Sequence, residues 1–384
     1  MVATTKKTPK KGFLSIHQEL WAIPLFLFAF GVIQIFSASR FKGVELKDNE
    51  FYFAILHFFG VSIGIIAMSF TTLLSSNIWK KLSHIIYAIT IALLVGVLFT
   101  PAVNGAHRWF EIPGTGFAIQ PSEFAKITVV LYGAYLLEAY GKKNFATYKQ
   151  HLEQFLRPVA IRMLPLILLV VIEPDLGTAV VMVAAFVFMY FMKENKFLKQ
   201  DIMAIGIVLL IGGVVFSLVE SYRVTRINTY FTLLFTGKIE DEFGAGYQLR
   251  NILIGVGSGG WWGKGLGQSR QRFGYLVETT AFTDSISAVI FEELGYILSV
   301  IFISLYLIYF WSITKRAEAQ TDQYKKLVLW GMAGWFISQT FIHLSANLAL
   351  IPVKGIPLPF ITYGMSSIIS IGIAAGITYR FSRS

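Results

Sequence analysis

Residues 283–295 read TDSISAVIFEELG and place three carboxylates, Asp284, Glu292 and Glu293, at the opening of a long apolar run. A carboxylate in hydrocarbon is costly, so it needs a water-filled cavity, a partner or a chemical task. On one helix, Glu292 lies about 80° round from Asp284 and ~12 Å deeper, with Glu293 on nearly the opposite face. The three cannot form one cluster. Asp284 stands apart as the solvent-reachable acid, a candidate general base, and the two glutamates are expected to bond between helices.

Four further stretches put polar groups where apolar ones would be ordinary. QPSEFAK (120–126) starts a helix at Pro121 and sets Glu123 and Lys126 three residues apart, close enough to pair. That pair reads either as an interfacial clip marking the helix start or as charges lining a cavity. EPDLGTA (173–179) reads as a tight outer turn, and NGAHRWFEI (104–112) offers Arg108 for an anionic ligand beside an interfacial Trp109. PVKGIPLPFITYGMSS (352–367) cannot be a continuous helix through Pro359, and irregular backbone at membrane depth requires cover from protein or a water-filled cavity. Lys354 hangs there, on the same side as Asp284 and Arg108. The run GVGSGGWWGKGLGQS (255–269) contains a G-x-G-x-x-G match at Gly255, Gly257 and Gly260. No strand precedes it, and Ser258 and Gly265 break the P-loop pattern, so it reads as a compact re-entrant or interfacial loop, not a nucleotide site.

The elements that must position these residues follow from composition. With 55% hydrophobic and 14% charged residues, this is a polytopic membrane protein. There is no cysteine, hence no disulfide or thiolate metal site. Ten apolar runs are long enough to cross, or nearly cross, ~30 Å of hydrocarbon: 20–38, 51–74, 82–100, 119–140, 158–172, 176–192, 202–219, 284–313, 327–351 and 356–379. The fifth and sixth are short and meet at EPDLGT as a broken pair. With loops assigned alternately, one side holds nineteen Lys and Arg, among them Lys6, Lys80, Lys142, Lys193, Lys315 and Arg380. The short loops of the other side hold five: Arg40, Lys42, Lys47, Arg108 and Lys354. Both termini are then cytoplasmic, with residues 1–19 as a tail that is not a removed signal, and 220–283 form one large extracytoplasmic loop. The net charge of +11 is topology and not a nucleic-acid surface. The expected fold is an all-α integral membrane protein of about ten transmembrane helices, a single polytopic unit over 1–384.

In order along the chain, IFSAS, NGAHRW, QPSEFAK, EPDLGTA, GSGGWWGKGLGQS, TDSISAVIFEELG and PVKGIPLPFITYGMSS resemble the SEDS family (FtsW, RodA and SpoVE). GLGQS and the lysine of PVKG are more similar to the division-type FtsW branch. The chain departs from the usual LPEAHTDF with LVETTAFTDS, and Met365 stands where a glycine is usual. The resemblance implies a peptidoglycan glycosyltransferase that polymerises lipid II at the outer face of the bacterial cytoplasmic (inner) membrane. It implies Asp284 as the essential aspartate, and Arg108, Glu123, Lys126, Lys354, Ser366 and Ser367 as substrate-binding residues. It also implies a class B penicillin-binding protein transpeptidase and other divisome or elongasome membrane proteins as partners, besides membrane lipid, and no nucleic acid.

A polymerase outside the cytoplasm has no ATP and needs a pre-activated donor, which a lipid-linked diphosphate sugar provides. Asp284 would act as base on the acceptor hydroxyl, with Arg108, Lys126 and Lys354 stabilising the departing diphosphate. No cofactor is required by this chemistry; a divalent cation assisting the diphosphate is left open, and no metal ligands are assigned. A rival reading explains the same charges: a lipid flippase or proton-coupled transporter would use Asp284, Glu123 and Lys126 as a relay. A non-catalytic membrane scaffold for a transpeptidase is compatible with the enzyme reading as an additional partner role. The topology is tested with single cysteines: one at Lys238 is expected to react with an impermeant maleimide from outside intact cells, and one at Lys142 is not. The reverse labelling would overturn the arrangement.

Overall fold

Each of the ten apolar runs carries a helix. The structure, a computed structural model, describes residues 18–102, 106–114, 117–141, 144–193, 195–219, 221–239, 246–272, 281–353 and 355–383. In chain order come α1 (Glu19–Lys47), α2 (Tyr52–Thr71), α3 (Ser76–Val97), a two-stranded antiparallel hairpin of β1 (Phe110–Ile112) and β2 (Phe117–Ile119), and α4 (Pro121–Tyr140). Then follow α5 (Tyr148–His151), α6 (Arg157–Ile172), α7 (Leu176–Phe191) and α8 (Leu198–Val219). The segment between α8 and α11 holds α9 (Ser221–Thr236) and α10 (Tyr247–Ser258), and α11 (Ile286–Ala319), α12 (Gln323–Asn347) and α13 (Met365–Ser382) complete the chain. Among the described residues, six helices are long and apolar enough to cross a membrane by length and composition, and α7 is a shorter apolar helix.

Two elements differ from expectation, each for a local reason. The expected short run 158–172 is the second half of a 25-residue helix from Tyr148 to Ile172. A π turn at Leu152–Leu156 runs directly into Arg157, so the helix continues through Pro158, which itself donates no N–H. The run 284–313 is two helices end to end, because Gly295 has φ 70° and ψ −178°. Residues 296–319 alone measure about 36 Å at 1.5 Å per residue, enough to cross the hydrocarbon. The piece 286–294 is therefore an outer helix ahead of the span, and Asp284 lies before both.

α4 is buried almost all round and forms the centre with α7, α12 and α13. α2 and α13 approach closely through small residues. A Cβ at Gly372 would lie 2.4 Å from the Gly64 carbonyl oxygen, and one at Gly376 2.2 Å from that of Met68. The outward faces stay apolar, with Phe58, Ile66 and Phe70 of α2 more than half exposed, as lipid contact demands.

The break at Gly295 frees backbone groups, and the glycine-rich loop bonds four of them. Tyr296 and Ile297 donate their N–H groups to the carbonyls of Gly260 (2.8 Å) and Trp261 (3.3 Å). Lys264 and Gly265 donate theirs to the carbonyls of Glu292 (3.0 Å) and Glu293 (3.1 Å). The two glutamates clamp the same loop. Glu292 pairs with Lys264 and accepts from Ser258 Oγ (2.8 Å), Ser269 Oγ (2.7 Å) and the Arg270 N–H (3.1 Å). Glu293 accepts from the Gly267 N–H (3.1 Å) and from Ser37 of α1. The loop is thus a compact plug against α11, and both glutamates bond to another helix, Glu292 to Ser258 at the end of α10 and Glu293 to Ser37 of α1.

Any side chain at 295 would be strained twice, by its positive φ and by a Cβ 2.1 Å from the Gly263 nitrogen. Gly295→Ala is expected to cost about 2–4 kcal/mol, read as a lowered melting temperature of the detergent-purified protein and faster proteolysis within 259–269. Melting at the wild-type temperature would show that the plug does not depend on this turn.

Candidate active site

A cavity of about 1360 Å³ opens among α2, the start of α4, α9, the residues ahead of α11 and the segment joining α12 to α13. Of the residues singled out from sequence, Asp284, Arg108, Glu123, Ser366 and Ser367 line it together. Lys126 does not line it, and Lys354 lies outside the described residues, between the lining residues Val353 and Gly355.

Asp284 is held by its backbone and crowded at its carboxyl. Asn347 Nδ2 donates to the Asp284 carbonyl (3.0 Å) and to the His343 carbonyl (3.0 Å), fixing the turn against the end of α12. The Tyr363 N–H donates to the Phe282 carbonyl (3.0 Å), tying the same turn to the approach to α13. Gly355 packs on the carboxyl itself, so that a Cβ there would lie 2.8 Å from Asp284 Oδ2. Burial holds the Asp284 carboxyl above the usual carboxylate range. The Arg226 and Arg108 guanidiniums oppose that rise, and the Asp175 carboxylate adds to it.

Arg108 is aimed by backbone: Nε donates to the Glu173 carbonyl (2.9 Å) and Nη2 to that of Pro174, and the guanidinium stacks over Trp109. The stretch EPDLGTA is thus more than a turn. Asp175 caps α7 through the Thr178 N–H (3.2 Å), accepts from Gln120 Nε2 and Ser122 Oγ (both 2.9 Å), and lines the cavity. Glu173 is fully buried beside it, and burial, reinforced by Asp175 and opposed by Arg108, pushes its carboxyl up to about 8. It is therefore largely protonated at neutral pH.

Below the cavity, Lys126 Nζ donates to Glu123 Oε2 (2.9 Å) and Gln339 Oε1 (3.1 Å) and lies 5.0 Å from the Trp335 ring centre. Gln339 Nε2 donates onward to the Pro357 carbonyl (2.8 Å), so this buried group braces the irregular segment from underneath. Ser366 Oγ accepts from the Gln120 N–H (2.9 Å) and donates to the Ala118 carbonyl (3.2 Å), joining α13 to the hairpin. Three lining residues escaped the sequence reading. Arg226 was one charge in a long loop exempt from the topology rule, Asp175 looked like turn chemistry, and His57 was a lone histidine on an apolar helix. Among the described residues, no three His, Asp or Glu side chains come together to hold a metal ion.

The family description FTSW_RODA_SPOVE, cell cycle protein, matches residues 17–384. Stage V sporulation protein E of Bacillus subtilis is 34% identical over 384 residues, covering 99% of each chain. A probable peptidoglycan glycosyltransferase FtsW of Aliivibrio salmonicida is 31% identical, covering 97% of this chain and 90% of its own. Among solved structures, a chain from work on the structural coordination of polymerization and crosslinking by a peptidoglycan synthase complex superposes with a TM-score of 0.74 at 23% identity, covering 95% and 96%. The rod shape determining protein RodA of Thermus thermophilus superposes at 0.64 and 20% identity, covering 95% of each. Both likenesses speak for the fold.

The contact of Gly355 with Asp284 is directly testable. Gly355→Ala forces the carboxyl aside, and a displacement near 1 Å at a reacting group costs about 10²-fold in rate. Turnover is expected to fall by that order with an unchanged melting temperature; wild-type turnover would mean that the carboxyl position is not critical.

Proposed function

This chain belongs to the FtsW/RodA/SpoVE family of cell cycle proteins, and from that premise we propose that it is a peptidoglycan glycosyltransferase polymerising lipid II. It is a multi-pass protein of the bacterial inner membrane, working on glycan strands at the outer face during division or growth. Relatives named as probable peptidoglycan glycosyltransferases FtsW support the activity, and the sporulation and FtsW names fit a lean toward the division branch. The structural relative from a complex that coordinates polymerization with crosslinking supports a class B penicillin-binding protein as partner.

The observation that carries the mechanism is the Asp284 carboxyl in the cavity, under opposing pulls from burial and two guanidiniums. The acceptor hydroxyl attacks the anomeric carbon of the donor with inversion. As the new C–O bond forms, the bond to the diphosphate oxygen breaks and undecaprenyl diphosphate departs. Asp284 takes the hydroxyl proton, and a carboxylate whose pKa is raised is the stronger base for it, a contribution of typically ~10²–10⁴-fold. Arg108 meets the charge that develops on the diphosphate, and the sequence resemblance adds Lys354 as a further cation for it. Glu123, Ser366 and Ser367 offer hydrogen bonds to sugar, with Lys126 holding Glu123 in place.

Purified protein with labelled lipid II, read as glycan polymer on a gel, tests this reading. Asp284→Asn keeps the shape and loses the base, so polymer is expected to fall more than about 10²-fold. Asp284→Glu shifts the carboxylate by about one methylene and is expected to leave a small remnant, with normal expression and insertion of both. Wild-type rates from Asp284→Asn would remove the residue from the mechanism. No polymer from wild type, with lipid movement in vesicles that Asp284→Asn blocks, would make the protein a transporter.

A further inference from the structure

The segment between α8 and α11 contributes to the cavity wall. Arg226 and Tyr230 are one turn apart on α9 and reach from the same face. Arg226 Nη1 donates to the Val353 carbonyl (3.2 Å), and the Tyr230 hydroxyl to that of Leu350 (2.6 Å). Arg226 Nη2 also donates to Gln248 Oε1 on α10 (3.2 Å). α9 is strapped by these bonds across the segment that leaves α12, and Arg226 with Ile227 lines the cavity.

A diphosphate leaving group needs cations where its charge develops, and the planar fork of a guanidinium matches phosphate oxygens better than a point charge does. Among the described residues lining the cavity, Arg108 and Arg226 are the Lys or Arg side chains; Lys126 is paired beneath it. The two arginines arrive from separate parts of the chain, Arg108 from the residues before the hairpin and Arg226 from α9. Resting on the glycosyltransferase reading, we propose that Arg226 is a second arginine ligand of the lipid diphosphate, delivered by α9, and that with Arg108 it grips the leaving group beside Asp284. Direct phosphate contact makes Arg226 a binding residue of the reaction. Its field on Asp284 supplies an independent signature, shared there with Arg108 and opposed by Asp175 from the start of α7.

The test measures binding of undecaprenyl diphosphate and of undecaprenyl monophosphate to purified wild type, Arg226→Gln, Arg226→Lys and Tyr230→Phe, together with the pH dependence of polymerisation. Arg226→Gln is expected to weaken the diphosphate at least tenfold and the monophosphate less, with Arg226→Lys in between. Removing the Arg226 charge lets the Asp284 pKa rise further, so the acid limb of the pH–rate profile should move to higher pH, and Arg226→Lys should hold it near its place. Tyr230→Phe cuts the strap and keeps the guanidinium, so its diphosphate affinity should match wild type. Wild-type diphosphate affinity in Arg226→Gln with an unmoved acid limb overturns the proposal. An equal loss in Tyr230→Phe also overturns it, because α9 would then act through its position alone. A wild type that binds undecaprenyl diphosphate and makes no polymer would sink the glycosyltransferase reading and leave the arginine assignment standing.

Discussion

A backbone amide or carbonyl beside lipid has no water to bond, so a helix that breaks there must be met by other protein. The break at Gly295 imposes that demand in the middle of α11, and the loop 259–269 meets it with four main-chain bonds. Much else follows from this one junction. It accounts for the density of glycines, since Gly259, Gly263 and Gly295 each lie where a Cβ would strike backbone. It gives Glu292 and Glu293 their partners, and it sets Asp284 at the far end of a short helix ahead of the span.

Charges in this protein are sorted by how completely they are matched. Glu292 with Lys264, and Glu123 with Lys126, are satisfied pairs, and breaking one member of such a pair strands a buried charge. Asp284 is different, because its carboxyl lines a cavity and feels arginines from two other elements. Reactivity requires that contrast. A carboxylate locked in an ion pair has lost its basicity, whereas one held above its usual range by burial keeps it.

Much of this was legible in sequence. The ten runs, the separation of Asp284 from the two glutamates, and the Glu123–Lys126 pair follow from hydropathy and the 3.6-residue period alone. The site was legible in part, because Arg108, Glu123, Ser366 and Ser367 are polar residues on segments that should be apolar. Arg226 carried no such contrast: it lies in a segment already polar, and only the fold of α9 brings it over the cavity. The helix through Leu152–Leu156 was hidden for the opposite reason, since Pro158 mimics a boundary that a π turn bypasses. Gly295 looked like an ordinary glycine within an apolar helix, and nothing in its neighbours signals a left-handed turn.

The junction at Gly295 also divides α11 mechanically. The outer piece, 286–294, has its last carbonyls bonded to the glycine-rich loop, while the inner piece begins with amides bonded to the same loop. The two rods share a hinge and no continuous bond ladder. A push on α10 or the loop is therefore delivered to the outer rod, and to the aspartate at its tip, before it bends the long rod embedded in lipid. The Asp284 turn and the glycine-rich loop thus sit at the two ends of one short rod, whose seat is set by bonds to protein at the junction with the long rod.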